Sequence, residues 1–355
     1  MSPAGNGWRG GRSMQHASAE APAVLNGTRL LRQVLVRAGY GTSGSSESSP
    51  TSGTGANGWS GHCGTPRRGA RSTIPTPAAE DNSGPEAFPG ERQAHLSSDM
   101  DFYFTDRSGA GWDCGYRNLQ MLGSALMSAW DAPRITRSAV FFGAKAVPSI
   151  ETLQQQLEWA WENGFDPVGA EHFGGRLVGR RIWIGAADVT ALLRSYRLRA
   201  QVVLFDQSQN GRCGDGEALH PELFEWVWSY YTHWCRGGVG CLRCRGEECL
   251  CVDALAADAV GDVTGTRLVP PLFLQHDGHS RTIVGVMRGS YDAPVELLVV
   301  DPSQALQPHA FNAASVLSRL RYRLDELTRA QYQILYLERN LYEHDSGLFE
   351  QLKIF

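Results

Sequence analysis

Lysine is almost absent from this chain, and no charge of either sign dominates it. Only two of its 33 basic residues are lysine, Lys145 and Lys353, a bias that a GC-rich coding sequence is enough to explain. The 33 basic residues nearly balance 37 acidic ones, which leaves a formal net charge of −4. Domains whose main role is to bind nucleic acid phosphates carry a clear excess of positive charge. The charge balance therefore argues against direct nucleic-acid binding.

Long apolar runs are absent as well. No run reaches about 18 residues, the length that a membrane-spanning helix needs. The sequence also has no segment that joins a charged start, an apolar centre and a small-residue cleavage site, so secretion is not expected. We therefore expect a protein of the cytoplasm, the nucleus or both, with no membrane partner. In those compartments the eight cysteines are expected to be reduced thiols, metal ligands or a nucleophile.

Large apolar residues are scarce in the first 98 residues. Between residues 41 and 95 the only ones are Trp59, Ile74 and Phe88, and small or polar residues fill most of the remainder. Such a segment cannot bury enough surface to offset the entropy of ordering it. We therefore predict a disordered tail over residues 1–98 and an ordered domain over residues 99–355.

One part of the tail has a helical pattern. Residues 28–38 place Leu31, Val34 and Leu35 at helical spacing, with arginines between them. This pattern fits a short amphipathic helix that docks on a partner or a membrane surface, or a transit peptide. It also fits a transient helix in a disordered tail. We favour the transient helix, because isolated helices of this length are marginally stable.

The ordered region reads as an α+β domain, with helices first and strands later. Apolar residues at a spacing of three and four predict helices, and short β-branched runs predict strands. The predicted helices start at residue 114 or cover residues 150–161, 186–196, 221–234 and 313–320. The predicted strands cover residues 200–205, 272–275, 282–287, 296–300 and 332–337. A glycine-rich loop is expected over residues 169–179, and a cysteine-rich insertion over residues 235–266.

Cys114 is the first candidate for chemistry. It follows the Gly111-Trp112 turn and opens a predicted helix. A helix N-terminus lowers the pKa of a thiol, and its free amide N–H groups can bind an oxyanion. A small buried cysteine at a helix start explains the same position, so the residue alone does not decide between the two interpretations.

A histidine pair and an aspartate supply what a cysteine nucleophile needs. His276 and His279 flank a turn between two predicted strands, and an imidazole titrates near neutral pH. Asp301 ends the strand of residues 296–300 and can orient an imidazole, as the third member of a triad does. Each position also fits an ordinary polar turn. Together, Cys114, a histidine and Asp301 point to a cysteine-dependent acyl hydrolase.

The strings that hold these residues resemble the ubiquitin-fold-modifier-specific peptidase family, which consists of papain-like cysteine proteases. The resemblance covers residues 101–355. It is carried by the segments 111–118, 183–186, 275–282 and 300–302. It implies a papain-like protease domain, with N-terminal helices and a C-terminal antiparallel sheet, and a reaction that uses no cofactor.

The resemblance also implies roles for individual residues. Cys114 is the expected nucleophile, His279 the general base and Asp301 the orienting acid. In the family a tyrosine ahead of the cysteine helps to bind the oxyanion, and Tyr103 stands at that place. Substrate contacts are expected at Trp112, Trp183 and Gly278, because a diglycine-ended peptide needs a narrow channel with flat walls.

Two branches of the family differ in their catalytic histidine. The modifier-specific branch carries it in an Asp-Pro-His box, which here reads Asp301-Pro302-Ser303. The deubiquitinase branch, with a zinc-finger-containing enzyme and finger-less fungal relatives, takes it from a Gly-His-Ser-Arg-Thr string, present here at residues 278–282. This sequence therefore resembles the deubiquitinase branch. It departs from the animal enzyme because its first 98 residues hold one cysteine, Cys63, and so no two-Cys-two-His finger.

The resemblance implies a thiol-dependent deubiquitinase that cleaves isopeptide bonds after the ubiquitin C-terminal diglycine. Ubiquitin or polyubiquitin chains are the expected partners, with chains joined through ubiquitin lysine sixty-three as the expected substrate. The alternatives are a protease for the ubiquitin-fold modifier and a non-catalytic ubiquitin-binding module. A third alternative is a zinc-dependent interaction protein built on the insertion.

The cysteine-rich insertion has partial metal-site spacing. Cys241 and Cys244 have zinc-knuckle spacing, but Cys249 and Cys251 follow too closely for an easy tetrahedral site. A loop of reduced thiols is therefore the default expectation, and no metal site is assigned.

Overall fold

The computed structural model describes residues 23–42, 92–128, 139–208, 220–235, 268–290, 292–306, 313–342 and 345–353. Most of the predicted tail and the cysteine-rich insertion therefore lie outside the described residues, including Cys241, Cys244, Cys249 and Cys251. The helices of the described part are α1 Gly27–Arg37, α2 Cys114–Ser128, α3 Ile150–Glu162, α4 Pro167–His172, α5 Ala186–Ser195, α6 Pro221–Cys235, α7 Ala313–Leu320 and α8 Ser346–Gln351. None of the helices in these ranges has the length and apolar character to cross a membrane.

Local signals explain where several helices begin. The Ser149 side chain accepts a hydrogen bond from the Thr152 amide, which caps α3. Pro221 opens α6, where its missing N–H costs no helical hydrogen bond. The glycine-rich stretch differs from the prediction, because its first residues belong to the short helix α4, capped by the Asp166 carboxylate.

The strands are β1 Ala23–Val24, β2 Gly41–Thr42, β3 Gln93–Leu96, β4 Phe102–Tyr103, β5 Leu198–Asp206, β6 Leu272–His276, β7 His279–Arg288, β8 Glu296–Val300, β9 Arg321–Tyr322 and β10 Gln331–Tyr342. Eight of them form one sheet with the path β2-β3-β7-β6-β10-β5, to which β8 and β9 are added beside β7. Its strand pairs are antiparallel except β2 with β3, and β1 pairs with β4 separately. The α+β class is confirmed.

Strand β7 organises the sheet around the predicted histidines. Its first half pairs with β6, which places His276 opposite His279. It also pairs with β8, where Thr282 lies opposite Val300, the residue before Asp301. The pairing therefore brings the histidine turn and the aspartate, which are distant in sequence, to one end of the sheet.

Helix α2 lies between two hydrophobic clusters. Leu119, Leu122 and Leu126 belong to the larger cluster, whereas Met121 and Ala125 belong to the smaller one. Side chains are buried from residue 115 to residue 126 along this helix. A helix buried on several sides is fixed firmly, so its first residue is held in a defined position against the sheet.

The predicted tail boundary is wrong for residues 23–42 and 92–98, which are part of the domain. Helix α1 contributes Leu31 and Leu35, both 0% exposed, to the smaller cluster, whose other members include residues of α2, β7, β8 and α7. Strand β3 pairs with the second half of β7. The transient-helix interpretation is therefore corrected: α1 is a short amphipathic helix, but it docks on the domain of its own chain.

Contacts at the base of α1 tie it to the segment that leads to the site. The Asn26 amide donates to the Asp101 carboxylate at 2.7 Å, and Arg32 pairs with Asp99 at 3.0 Å. Gly27 lies so close to the Phe102 ring that a Cβ there would be 2.4 Å from it. The position therefore requires glycine.

Candidate active site

Cys114 is the first residue of α2, as predicted, and its thiol is half-buried. Gly111 makes the preceding turn with φ of +86°, a conformation that favours glycine. Asp113 fixes the helix start: its buried carboxylate accepts from the Thr105 hydroxyl and from Arg117 Nε at 2.9 Å. The first-turn amides of a helix have no intrahelical acceptor, so the Cys114 N–H is available beside the thiol.

Hydrogen bonds favour the charged form of the Cys114 thiol. Burial on its own would raise the pKa of Cys114, but hydrogen bonds from His279 and from the Ser280 hydroxyl and amide outweigh it. The pKa of Cys114 is therefore below its ordinary value. A thiolate is the nucleophilic form, so this arrangement prepares the residue for attack.

His279 bridges the cysteine and the aspartate. Its Nε2 lies 2.9 Å and 3.0 Å from the two Asp301 carboxylate oxygens, which leaves Nδ1 as the ring nitrogen for Cys114. Burial would lower the pKa of His279, but the hydrogen bonds to Asp301 and Cys114 raise it to about 9. The pair therefore favours a thiolate beside an imidazolium near neutral pH.

Asp301 is held in its charged form by four donors. Besides His279 Nε2, the Ser303 amide and hydroxyl donate to Oδ1 at 2.9 Å and 2.7 Å, and Arg281 Nε donates to Oδ2 at 2.8 Å. Burial would raise the pKa of Asp301, but the hydrogen bonds from His279 and Ser303 hold it well below its usual range. Asp301 can therefore orient the imidazole and stabilise its positive charge.

These three residues lie in a cleft of about 640 Å³. Its walls come from the turn before α2, the turn between β6 and β7, and the residues after β8. Trp112 and Gly278, two of the three predicted substrate contacts, line it. Gly278 has φ of +80°, and a Cβ there would meet nothing within 4 Å, so backbone conformation rather than space favours glycine.

Trp183 is exposed beside the helix start rather than within the lining of the cleft. Its side chain is 48% exposed, unusually high for a tryptophan. The next residue, Ile184, places its carbonyl oxygen 2.3 Å from where a Gly115 Cβ would stand. Gly115 is therefore required for this close approach. The contact of Trp183 with substrate stays a prediction.

Tyr103, the predicted oxyanion residue, lies next to the smaller cluster. It belongs to β4, where it pairs with Ala23, and it is not among the residues that line the cleft. Thr105, two residues later, lines the cleft instead and bonds to Asp113. The role of Tyr103 in binding the oxyanion stays a prediction.

Sequence reasoning missed several polar residues of the site. Ser280, Asn118 and Arg281 were noted only as parts of the recognisable strings. In the structure, Ser280 lowers the pKa of Cys114 and Arg281 bonds to Asp301. The spacing of these residues could have indicated their place in the site. Asn118 lies one helical turn after Cys114, so the two side chains share a face of the helix, and alternate residues of a strand share a face in the same way.

No group of three or more His, Cys, Asp or Glu side chains converges on a metal-binding position in the described ranges. The groups that meet in the cleft are the Cys114 thiol, the His279 imidazole and the Asp301 carboxylate, a set that suits attack on an acyl carbon.

The sequence of this chain is similar to those of several known proteins. The sequence model of peptidase family C78 matches residues 90–335. Zinc finger-containing ubiquitin peptidase 1 from Macaca fascicularis is 34% identical over 255 residues, which are 70% of this chain and 38% of that protein. The human protein of the same name is 34% identical over 253 residues, again 70% and 38%. This chain thus spans 38% of the length of these two relatives.

A shorter relative is covered more fully. Ubiquitin carboxyl-terminal hydrolase mug105 from Schizosaccharomyces pombe is 26% identical over 254 residues, which are 70% of this chain and 84% of that protein. Among solved structures, UfSP from C. elegans has a TM-score of 0.41 and 14% identity, and the match covers 74% of this chain and 37% of that one.

Proposed function

The chain belongs to peptidase family C78, a family of cysteine peptidases, and from this membership we propose that it is a thiol-dependent deubiquitinase. It hydrolyses isopeptide bonds that follow the C-terminal diglycine of ubiquitin. The observation that carries the proposal is the placement of Cys114, His279 and Asp301 in one cleft, with His279 hydrogen-bonded to Asp301. The names of the relatives, which are ubiquitin peptidases and a ubiquitin hydrolase, support the substrate class.

The reaction starts from the Cys114 thiolate. It attacks the carbonyl carbon of the terminal glycine, and the oxyanion that forms accepts a hydrogen bond from the Cys114 amide. The His279 imidazolium gives its proton to the departing lysine amine, so that a neutral amine leaves and a thioester remains. His279 then takes a proton from water, which attacks the thioester and releases the ubiquitin carboxylate.

The presence of a serine at position 303 supports ubiquitin, rather than the ubiquitin-fold modifier, as the substrate. At this position the modifier-specific branch has the catalytic histidine, whereas the Ser303 hydroxyl here donates to the Asp301 carboxylate. The base is therefore supplied from β7, by His279, as in the deubiquitinase branch. We extend the proposal to chains joined through ubiquitin lysine sixty-three and, because the nucleophile must stay reduced, to the cytoplasm or nucleus.

The test uses ubiquitin, and separately the ubiquitin-fold modifier, each with a C-terminal electrophile. The full chain is expected to form an adduct with ubiquitin at Cys114, and Cys114→Ala is expected to form none. Ubiquitin dimers of every linkage then report the chain preference. If only the modifier forms an adduct, the modifier and not ubiquitin is the substrate. If an adduct persists in Cys114→Ala, Cys114 is not the nucleophile.

The pH dependence of kcat/KM is expected to be bell-shaped, with its alkaline limb near pH 9. The reactive ion pair forms as pH rises through the lowered pKa of Cys114, and it is lost as pH rises through the pKa of His279, about 9.

Asp301→Asn removes the carboxylate that stabilises the imidazolium, so the alkaline limb should move to lower pH. Activity should fall less than it does in His279→Ala, because the base itself remains. An alkaline limb that stays in place in Asp301→Asn contradicts this assignment. The profile is measured with a fluorogenic ubiquitin substrate, and the melting temperature of the variant serves as the folding control.

A further inference from the structure

Three buried polar side chains form a chain of hydrogen bonds between α2 and β7, the helix that begins with Cys114 and the strand that begins with His279. The Thr282 hydroxyl donates to Asn118 Oδ1 at 2.8 Å, and Asn118 Nδ2 donates to the Ser280 hydroxyl oxygen at 2.9 Å. Ser280 follows His279 at the start of β7, next to the start of α2, and its hydroxyl and amide lower the pKa of the Cys114 thiol. Asn118, Ser280 and Thr282 are 0%, 2% and 1% exposed, so water does not compete for these bonds.

The fold places these residues on facing surfaces. Asn118 follows Cys114 by one turn of α2, so both side chains project from the same face of the helix. Ser280 and Thr282 are alternate residues of β7 and share one face of the strand. The helix face therefore lies against the strand face, and the nucleophile sits at the end where His279 begins the strand.

With Asn118 in this orientation, the single hydroxyl hydrogen of Ser280 decides where the chain of hydrogen bonds leads. A serine hydroxyl has one hydrogen to donate, and its oxygen already accepts from the Asn118 amide. Its hydrogen is thus left for Cys114. If the Asn118 amide were reversed, it would take the Ser280 hydrogen, and the Ser280 lone pairs would then face a thiolate. In the orientation found, the Thr282 hydroxyl donates to Asn118 Oδ1, which leaves Asn118 Nδ2 to donate to Ser280.

We propose that Ser280 is a further catalytic residue, whose hydroxyl donates to the Cys114 thiolate, and that Asn118 and Thr282 are positioning residues that hold Ser280 in the donating orientation. The proposal rests on the proposed function for its role in turnover. The state of the thiol itself can be measured without any ubiquitin, so the two are tested separately.

The experiment measures alkylation of Cys114 by iodoacetamide against pH in the full chain, with the Cys114 peptide quantified by mass spectrometry. Ser280→Ala is expected to shift the alkylation profile to higher pH. At a pH below the midpoint, the rate should fall on the order of tenfold, the effect of losing one hydrogen bond to a charged group. The Ser280 amide still donates in this variant, so a residual lowering should remain.

Matched variants separate positioning from packing. Asn118→Asp presents only acceptors, so Ser280 should turn towards it and the profile should shift at least as far as in Ser280→Ala. Thr282→Val should shift the alkylation profile in the same direction but by less. Thr282→Ser keeps the hydroxyl and should therefore show the wild-type profile. Circular dichroism and melting temperature check the fold of each variant.

A folded Ser280→Ala with an unshifted profile would overturn the proposal. If that variant does not fold, the Thr282 pair decides, because equal profiles for Thr282→Val and Thr282→Ser would also overturn it. If the profiles shift as expected but the wild-type chain forms no adduct with ubiquitin, the deubiquitinase proposal fails and the role of Ser280 on the thiolate stands.

Discussion

His279→Ala is expected to lower kcat/KM on a ubiquitin substrate by at least about a hundredfold, whereas His276→Ala should cost less than about tenfold. The two histidines lie opposite each other at the start of the β6–β7 turn, with ring centroids 6.0 Å apart. Of the two, His279 lines the cleft and His276 is not among the lining residues, and their hydrogen bonds differ as well.

His279 has the two partners that a general base needs. Its Nε2 bonds to the Asp301 carboxylate, and its ring hydrogen-bonds to Cys114. His276 instead has Nδ1 at 2.8 Å from the Asp277 carbonyl oxygen and packs edge-on against Tyr332. Burial, the largest influence on it, lowers the pKa of His276 below its ordinary value. A neutral ring bonded to a backbone carbonyl is suited to support the turn.

The comparison needs both variants on one substrate, with melting temperatures recorded. His276→Ala also serves as the matched control, because it removes a neighbouring imidazole from the same turn. A near-wild-type His279→Ala together with an inactive His276→Ala would reverse the assignment. Equal losses in both, with lowered melting temperatures, would mean that the turn acts only as a structural unit.

The parts of the site that could be predicted depend on local signals. Cys114 opens a helix because a glycine turn precedes it and an apolar period follows it, both readable within a short window. Asp301 ends an apolar strand before a proline, which is equally local. The choice of His279 came from the resemblance, and the hydrogen bond between His279 and Asp301 agrees with it.

The parts that were predicted wrongly depend on contacts between residues far apart in sequence. The apolar face of α1 is visible in the sequence, but its partners, such as Phe102 and Val316, are not adjacent to it. The pairing of Tyr103 with Ala23 of the predicted tail also joins residues far apart in sequence. Composition averaged over residues 1–98 hides both contacts.

Leu31→Ala and Leu35→Ala are each expected to destabilise the domain by about 2–5 kcal/mol, the range for truncating a fully buried leucine. Both side chains are 0% exposed in the smaller cluster, whereas Val36 on the same helix is 53% exposed. Val36→Ala is therefore the matched control and should change stability by no more than about 0.5 kcal/mol. Chemical denaturation of the full chain measures all three.

The same contacts connect α1 to the active site. The Asn26 amide holds Asp101, and the chain then runs through Phe102 to Thr105, whose hydroxyl bonds to Asp113 beside the nucleophile. Removing residues 1–42 is therefore expected to expose the smaller cluster, to lower the melting temperature markedly, and to reduce kcat rather than only change KM. A truncated chain with unchanged melting temperature and turnover would show that α1 is dispensable to the domain. It would also restore the tail boundary that composition alone suggests.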